Sequence, residues 1–453
     1  MAQTNTRAKN LLKTHEGAPA AIINAEQQLR RSVMSCLLFE KEFYEDGQEI
    51  AERIVTLAEA VEPRTVAQIA VEARGLMNLR HAPLLLLEVL SRTGAGRTDR
   101  LIADTIAVTI QRADEMAEFI AIYTKGGDRR NAPKGHGRQF SAQVMRGLAR
   151  AFRNFDDYQL AKYDRDGKVK LKDVMRIARP KPQSEAEAAR WKQARDGTLP
   201  APDTWEVALS AGKDKKETFE RLLGENRLGY LALLRNLRNM AQAKVDENLI
   251  KEKLLLRKGA ARVLPFRYVA AARIVPQFEP TIDKALLAAI ADMRPFSGTT
   301  VLLVDVSSSM DAKLSAKSDM TRMDAAATLA SIFPGDTRTF TFSNDLKEVP
   351  SRKGMAGVDA ILRSQPHGAT YLGQALAILN AQAANNGMGN GWERIIVITD
   401  EQSHDAVPAP AFKHAYMINV ASYKNGVGYG RWTHIDGFSE NVIRFIREIE
   451  SAS

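Results

Sequence analysis

The first 290 residues repeat apolar side chains with the 3.6-residue period of amphipathic helices. One such stripe consists of Ile50, Ile54, Leu57, Ala58 and Val61. Further helices are predicted at residues 66–73, 83–90, 101–110, 113–123 and 140–152. The short connections predict antiparallel neighbours, in a compact bundle or in a solenoid of stacked helix pairs, and the length of the helical region favours the solenoid.

The pattern changes after Pro295. Strands are predicted at residues 299–305, 337–342, 394–399 and 414–421, with helices between them at 323–333 and 372–384. This alternation predicts a mainly parallel sheet with helices on both faces. We therefore expect an all-α domain over residues 1–290 and an α/β domain of Rossmann-like type over residues 291–453.

Oxygen-bearing side chains follow the predicted strands, where open α/β sheets bind ligands. Asp305, Ser307 and Ser309 follow the first strand, Thr370 precedes a helix, and Asp400 follows the 394–399 strand. Carboxylates and hydroxyls are hard ligands, so the sequence predicts a divalent metal ion, Mg²⁺ before Mn²⁺ or Ca²⁺. If these residues fill only part of the coordination shell of the ion, one position stays open for an acidic group of a protein partner. The nearby residues 404 and 405 are interpreted as exposed loop residues.

Composition excludes several classes of protein. Of the 453 residues, 45% are apolar and 26% are charged, which is typical of a globular protein. A single cysteine, Cys36, argues against a disulfide scaffold and a Cys-rich zinc module. No apolar run could span a membrane, and no secretory signal begins the chain, so we expect a cytoplasmic protein without a membrane partner. No nucleophile–base pair or phosphate-binding motif is visible, and we expect no enzyme activity.

The formal net charge of +10 is concentrated in one segment. Residues 125–182 contain 16 basic and 6 acidic side chains, and the remaining chain is neutral overall. Such a patch suits a polyphosphate ligand, although a solvated loop with charged helix faces has the same composition. The Gly- and Arg-rich stretch 125–138 is predicted to be a loop. Its candidate phosphate contacts are Arg129, Arg130, Lys134 and Arg138.

The Asp-x-Ser-x-Ser motif at 305–309, together with Thr370 and Asp400, resembles the metal-ion-dependent adhesion site (MIDAS) of von Willebrand factor A domains. The third loop differs from that family. Many of its members have Thr-Asp-Gly, whereas this chain has Thr399, Asp400 and Glu401. The additional carboxylate either alters the charge at the metal or points to solvent.

Several segments resemble the TROVE domains of Ro autoantigen proteins and their bacterial relatives. They are residues 15–19, 26–31, 43–47, 158–163, 199–206 and 228–239, with 418–422 and 434–440 in the α/β part. The resemblance implies a HEAT-like ring closed by the A domain. It also implies small noncoding Y-type RNA on the outer surface and single-stranded 3′ ends of misfolded or structured RNA in a central hole. The implied role is RNA quality control, processing or decay, with an exoribonuclease partner.

The same resemblance assigns RNA contacts to the basic region 162–179. The residues are Lys162, Lys168, Lys170, Lys172, Arg176 and Arg179. Arg179 stands where the animal proteins have a functional histidine. Asp166 stands where they have arginine, with Lys168 and Lys170 as compensating charges, so the identity of the bound RNA stays open.

Two alternatives to RNA binding remain at this point. The chain could be an adhesion or scaffold protein, in which the metal grips a protein carboxylate and the helices act as a spacer. It could also be a metal-dependent nuclease. RNA that copurifies with the protein would favour RNA binding over the scaffold, and cleavage that depends on Asp305 would favour a nuclease.

Overall fold

A computed structural model describes residues 12–20, 23–34, 47–93, 99–129, 140–164, 167–260, 263, 265–291, 293–313, 320–385, 392–421, 423, 425–437 and 441–452. The described part up to Ala291 is helical apart from its connections. Its helices are α1 (Ala25–Met34), α2 (Gly47–Ala60), α3 (Pro63–Gly75), α4 (His81–Arg92), α5 (Leu101–Thr109), α6 (Ala113–Arg129), α7 (Ala142–Ala151), α8 (Asp157–Tyr163), α9 (Leu171–Ala178), α10 (Glu185–Asp196), α11 (Trp205–Ser210), α12 (Lys215–Gly224), α13 (Tyr230–Gln242), α14 (Glu247–Leu256), α15 (Pro265–Ile274) and α16 (Glu279–Ala291).

Helices α1 to α10 share one apolar core. Helix α7 illustrates how the sequence builds it. The Oγ of Ser141 accepts a hydrogen bond from the backbone N–H of Val144 at 3.2 Å and so caps the helix. Val144 and Leu148 lie one turn apart and are fully buried. Gly147 lies against Ile106 of α5, where a Cβ would meet that side chain at 2.8 Å.

The predicted loop at 125–138 is wrong over its first five residues, because α6 continues to Arg129. Gly126 is helical and lies directly against the carboxylate of Glu88 on α4, with which a Cβ would collide. Packing against α4 therefore outweighs the low intrinsic helix propensity of glycine.

Helices α12 to α16 pack against the sheet that follows them, in a core that continues across residue 290. Arg273 of α15 forms an ion pair with Asp324 at 3.1 Å. Asp283 of α16 accepts the backbone N–H of Met355 at 2.8 Å. The division of the chain at residue 290 stays a prediction, since secondary structure changes there but the apolar core does not end.

The sheet has six strands in the order β3-β2-β1-β4-β5-β6. The strands are β1 (Phe296–Asp305), β2 (Gly335–Phe342), β3 (Leu346–Val349), β4 (Trp392–Thr399), β5 (His414–Asn419) and β6 (Thr433–Asp436). All pairs are parallel except β2 with the edge strand β3. The helices here are α17 (Arg322–Ile332), α18 (Gly354–Leu362), α19 (Leu372–Asn385) and α20 (Asn441–Ala452).

Both faces of the sheet are covered by helices, as the alternating pattern predicts. Leu302 and Val304 of β1 belong to the core shared with α17, α18 and α20. Val301 and Leu303 point to the opposite face and pack with α19. The sequence patterns missed the four-residue strands β3 and β6, and β5 ends at Asn419 rather than at residue 421.

The α/β part contacts both ends of the helical part. Helix α15 packs on α17, and α1 lies near β6 at the other end of the chain. There the Nε of Arg31 donates to the carbonyl oxygen of Tyr423 at 2.7 Å. The described helices include none that is long and apolar enough to cross a bilayer.

Candidate functional site

The loops after β1 and β4 and the loop before α19 meet at the carboxyl edge of the sheet. Strands β1 and β4 are adjacent and parallel, so Asp305 and Asp400 end neighbouring strands on the same side. The backbone N–H of Ser308 donates to the carbonyl of Gly368 at 3.0 Å and joins the first loop to the second. The N–H of His404 donates to the carbonyl of Thr370 at 2.8 Å and joins the second to the third.

All five predicted metal ligands are at most 3% exposed, and they are Asp305, Ser307, Ser309, Thr370 and Asp400. Asp305 Oδ1 accepts the backbone N–H of Ser307 at 2.9 Å, and its Oδ2 accepts the hydroxyl of Thr399 at 2.6 Å. The hydroxyl oxygens of Ser307 and Ser309 lie 3.3 Å apart. The site therefore consists of carboxylate and hydroxyl oxygens only.

The two buried carboxylates at this edge of the sheet, Asp305 and Asp400, both have raised pKa values. Burial, assisted by the negative charge of Asp400, raises the pKa of Asp305 to about 7. Burial also raises the pKa of Asp400. Asp400 Oδ1 accepts the N–H of Gln402 at 3.2 Å, whereas Oδ2 is buried with no partner among the described residues. Such an arrangement is typical of a site that a cation completes.

Residues 404 and 405 support the neighbouring loop, which corrects their interpretation as exposed loop residues. The Nδ1 of His404 accepts the backbone N–H of Thr370 at 3.1 Å. The carboxylate of Asp405 accepts the N–H groups of Gly373 at 2.8 Å and Gln374 at 2.7 Å. Asp405 thus caps the first turn of α19 and cannot serve as a free catalytic acid.

Glu401 faces away from solvent and is fully buried. It therefore does not point to solvent, one of the two orientations considered from the sequence. Its φ of 63° lies in the left-handed region, which glycine adopts without strain and which costs other residues about 1–2 kcal/mol. The same position is glycine in many von Willebrand factor A domains.

Charged partners hold Glu401 in this conformation. Its Oε2 lies 2.9 Å from Nη1 of Arg31 and accepts the N–H of Gly428 at 2.7 Å. Its Oε1 contacts Nε2 of His434. Although burial opposes ionisation, Arg31 and His434 lower the pKa of Glu401 to about 2. Burial alone would lower the pKa of His434. The negative charges of Asp436 and Glu401 outweigh burial and raise that pKa to about 9.

The basic region 162–179 occupies α8, α9 and the connection between them. Lys168, Lys172, Arg176 and Arg179 are exposed, whereas Lys162 and Lys170 are half-buried. Lys172 and Arg176 lie one turn apart on the outer side of α9, whose opposite side is buried against the core. We call Lys168, Lys172, Arg176 and Arg179 the basic face.

Most of the basic face is not neutralised internally. Arg176 lies 3.5 Å from Asp173, but its side chain remains 71% exposed. Lys168, Lys172 and Arg179 form no ion pair with any carboxylate in the part of the chain that the structure describes. Lys162 instead lies over the ring of Tyr158, 5.6 Å from its centroid.

The other predicted RNA contacts lie at the edge of the described chain or outside it. Arg129 is the last residue of α6. Arg130, Lys134, Arg138 and the divergent Asp166 are outside the described residues.

Two further exposed features of the helical part are not among the residues predicted from the sequence. Tyr158 is 44% exposed beside Lys162, and an exposed aromatic ring within a basic segment was the available signal. Arg235 and Arg238 lie exposed on α13, and neither pairs with a carboxylate in the described ranges. The apolar residues Leu233, Leu234 and Leu237 around them are buried, and their spacing indicates this outward orientation.

Comparison with known proteins finds a family match that begins in the helical part and continues past β1. A model of the TROVE domain matches residues 182–318. Over 121 residues, a quarter of this chain, the sequence is 29% identical to telomerase protein component 1 of Mus musculus, and the match spans only 4% of that protein.

A solved structure shares the whole architecture. The crystal structure of the Deinococcus radiodurans Ro (RSR) protein superposes with a TM-score of 0.61, covering 94% of this chain and 100% of that one at 18% identity. At this identity the likeness concerns the fold. The chain thus contains a match to the TROVE domain over residues 182–318 and shares the fold of that Ro protein.

Proposed function

We propose that this protein binds RNA through the basic face. The observation that carries the proposal is that Lys168, Lys172 and Arg179, on helix α9 or directly beside it, are exposed and pair with no carboxylate among the described residues. Like charges held together at a surface repel one another, and a polyanion relieves that repulsion. The TROVE match and the Ro fold support this ligand over other polyanions.

The proposed ligand is small noncoding RNA of the Y type. Contacts to phosphates give affinity without base recognition, so duplex RNA is recognised mainly by shape. We further propose a ring whose hole receives single-stranded 3′ ends of misfolded or structured RNA. The helical part supports a ring because both of its ends contact the α/β part. Such a protein would act in RNA quality control, processing or decay, with an exoribonuclease as partner, and its cytoplasmic location stays a prediction.

We also propose that the α/β part is a von Willebrand factor A-like domain that holds a divalent cation, Mg²⁺ before Mn²⁺ or Ca²⁺. No three histidine, cysteine or acidic side chains among the described residues are arranged to hold a metal ion by themselves, so hydroxyls must contribute to the shell. Asp305, Ser307, Ser309, Thr370 and Asp400 supply such a mixed set, and the partnerless Asp400 Oδ2 supports their fit to a cation. When bound, the ion would offer an open position to an acidic group of a protein partner.

A charge reversal on the basic face tests the RNA proposal. Lys172→Glu with Arg176→Glu should weaken binding of a structured RNA with a single-stranded 3′ tail by about tenfold or more at physiological salt. The slope of log affinity against log salt should fall by about two. A filter-binding titration from low to high KCl measures both quantities.

Lys347→Glu with Arg363→Glu is the matched control, because it removes the same charge from exposed positions of the α/β part. Equal affinities for the two double variants would contradict the basic face as the RNA site. Sequencing of RNA that copurifies with the wild-type protein identifies the ligand. No copurifying RNA and no binding would favour a protein scaffold, whereas cleavage of end-labelled RNA that is lost in Asp305→Ala would indicate a nuclease.

A further inference from the structure

The N-terminal residues 12–20, which we call the N-terminal segment, lie directly against the loop that carries Asp400. The hydroxyl of Thr14 donates to the carbonyl of Ser403 at 2.8 Å. The backbone N–H of Ala18 donates to the same carbonyl at 3.3 Å. From the other side, Asn425 Nδ2 donates to the carbonyl of Lys13 at 3.0 Å. Gln402 Nε2 also donates to the carbonyl of Asn425 at 2.6 Å, so the N-terminal segment, loop 400–405 and the loop after β5 all contact one another.

Gln402 connects the N-terminal segment to Asp400. Its side-chain Oε1 accepts the backbone N–H of His15 at 2.8 Å. Its own backbone N–H donates to Oδ1 of Asp400 at 3.2 Å, and its Nε2 donates to the carbonyl of Asp400 at 3.2 Å. Because Gln402 is fully buried, it cannot exchange these partners for water without opening the interface.

His404 makes a second connection, to Thr370. Its Nδ1 accepts the Thr370 N–H, so the proton of the neutral ring is on Nε2. That Nε2 lies 2.8 Å from Oε2 of Glu16 in the N-terminal segment. The orientation of the ring, and with it the backbone at Thr370, therefore depends on Glu16.

Glu401 shows that this loop is held under constraint. Its left-handed backbone places Asp400 and Gln402 on either side of a turn that a non-glycine residue does not favour. The buried contact with Arg31 on α1 offsets the strain. Thus α1 and the N-terminal segment both act on the residues that flank Asp400.

We propose that the N-terminal segment, together with Arg31, positions the metal site. By holding Gln402, His404 and Glu401, these residues fix Asp400 and Thr370 in the arrangement that accepts the cation. Linkage is reciprocal, so cation binding must in turn strengthen the contact between the N-terminal segment and the α/β part. The inference rests on the proposed metal site.

The test uses the full chain and Mn²⁺ as the probe. Thr14→Val with Glu16→Ala removes the bond to the Ser403 carbonyl and the partner of His404. We expect the dissociation constant for Mn²⁺, measured by calorimetry, to rise about fivefold. Thr124→Val with Glu247→Ala is the matched control, because it removes one hydroxyl–carbonyl bond on α6 and one surface carboxylate on α14, outside the N-terminal segment and the loop it contacts. The control variant should keep the wild-type dissociation constant, even if its melting temperature falls as much as that of the test variant.

The reciprocal effect is measured by hydrogen exchange. In the wild-type protein, Mn²⁺ should slow exchange in a peptide that covers Ala18, and in Asp305→Ala it should not. Equal dissociation constants for the test and control variants, or unchanged exchange in protein that binds Mn²⁺, would overturn the inference while leaving the metal site intact. Wild-type protein that binds no Mn²⁺ would overturn the metal site and this inference with it.

Discussion

Arg31 of α1 forms an ion pair with Glu401 at 2.9 Å, and neither side chain is exposed to solvent. Arg31 also donates to two carbonyl oxygens, those of Tyr423 and Asn425. The pair thus connects the first described helix of the chain to the loop that follows β4. Since each charge is removed from water, each depends on the other for compensation.

Arg31→Met should therefore destabilise the protein strongly. It leaves the carboxylate of Glu401 buried without its main partner, which costs about 3–5 kcal/mol of unfolding free energy. Urea denaturation measures the change. Arg64→Met is the control, because Arg64 is exposed and pairs with Asp99 at the surface, where the loss should stay below about 1 kcal/mol. Equal losses of unfolding free energy in both variants would show that the buried pair contributes no more than the surface pair.

The imidazolium of His434 makes the same interface sensitive to alkaline pH. Its pKa rises from 6.5 to about 9 in the folded protein. Because the folded state binds the proton more tightly, this contribution is complete below pH 6.5 and is lost as the pH rises to about 9. It amounts to about 3 kcal/mol at most. Between pH 6.5 and 9.5, the melting temperature of the wild type should fall more than that of His434→Gln. Parallel plots of melting temperature against pH for the two proteins would contradict the raised pKa of His434.

Asp400→Asn should stabilise the protein in the absence of divalent ions. The substitution removes one of two buried negative charges while keeping an oxygen for the Gln402 N–H, and we expect a gain of about 1 kcal/mol. Added Mn²⁺ should raise the melting temperature of wild type and leave that of the variant unchanged. Asp345→Asn, at an exposed loop position, controls for the charge change. A variant that still responds to Mn²⁺ would argue against Asp400 as a ligand.

The sequence predicted which strand ends carry the candidate metal ligands, because their placement follows from local rules. Parallel strands end at the same edge of a sheet, so Asp305 and Asp400 had to lie near each other once β1 and β4 were recognised. The apolar runs of both strands are long and continuous, and they carry that signal. Strands β3 and β6 have only four residues each and are partly buried, so their alternation of apolar and polar residues is too short to recognise.

The contacts between distant segments could not be read from the sequence. Arg31 lies in a helix beside Glu26, and its charge suggests a surface residue until the packing of α1 against β6 is known. The sequence shows Glu401 as a departure from Thr-Asp-Gly, but its partner Arg31 is in another part of the chain. Gly126 indicated a loop, and only its fit against Glu88 explains why the helix continues.

Asp305→Ala should abolish cation binding while changing RNA affinity by no more than about twofold. Asp305 ends β1 in the α/β part, whereas the basic face lies on α9 and its flanking loops, within a different apolar core. Sites that share no partners contribute independently to binding. Calorimetry with Mn²⁺ and filter binding with RNA measure the two affinities, with circular dichroism to establish folding. Conversely, Lys172→Glu with Arg176→Glu should bind Mn²⁺ as wild type does. A large RNA defect in folded Asp305→Ala would mean that the cation site and the RNA site are coupled.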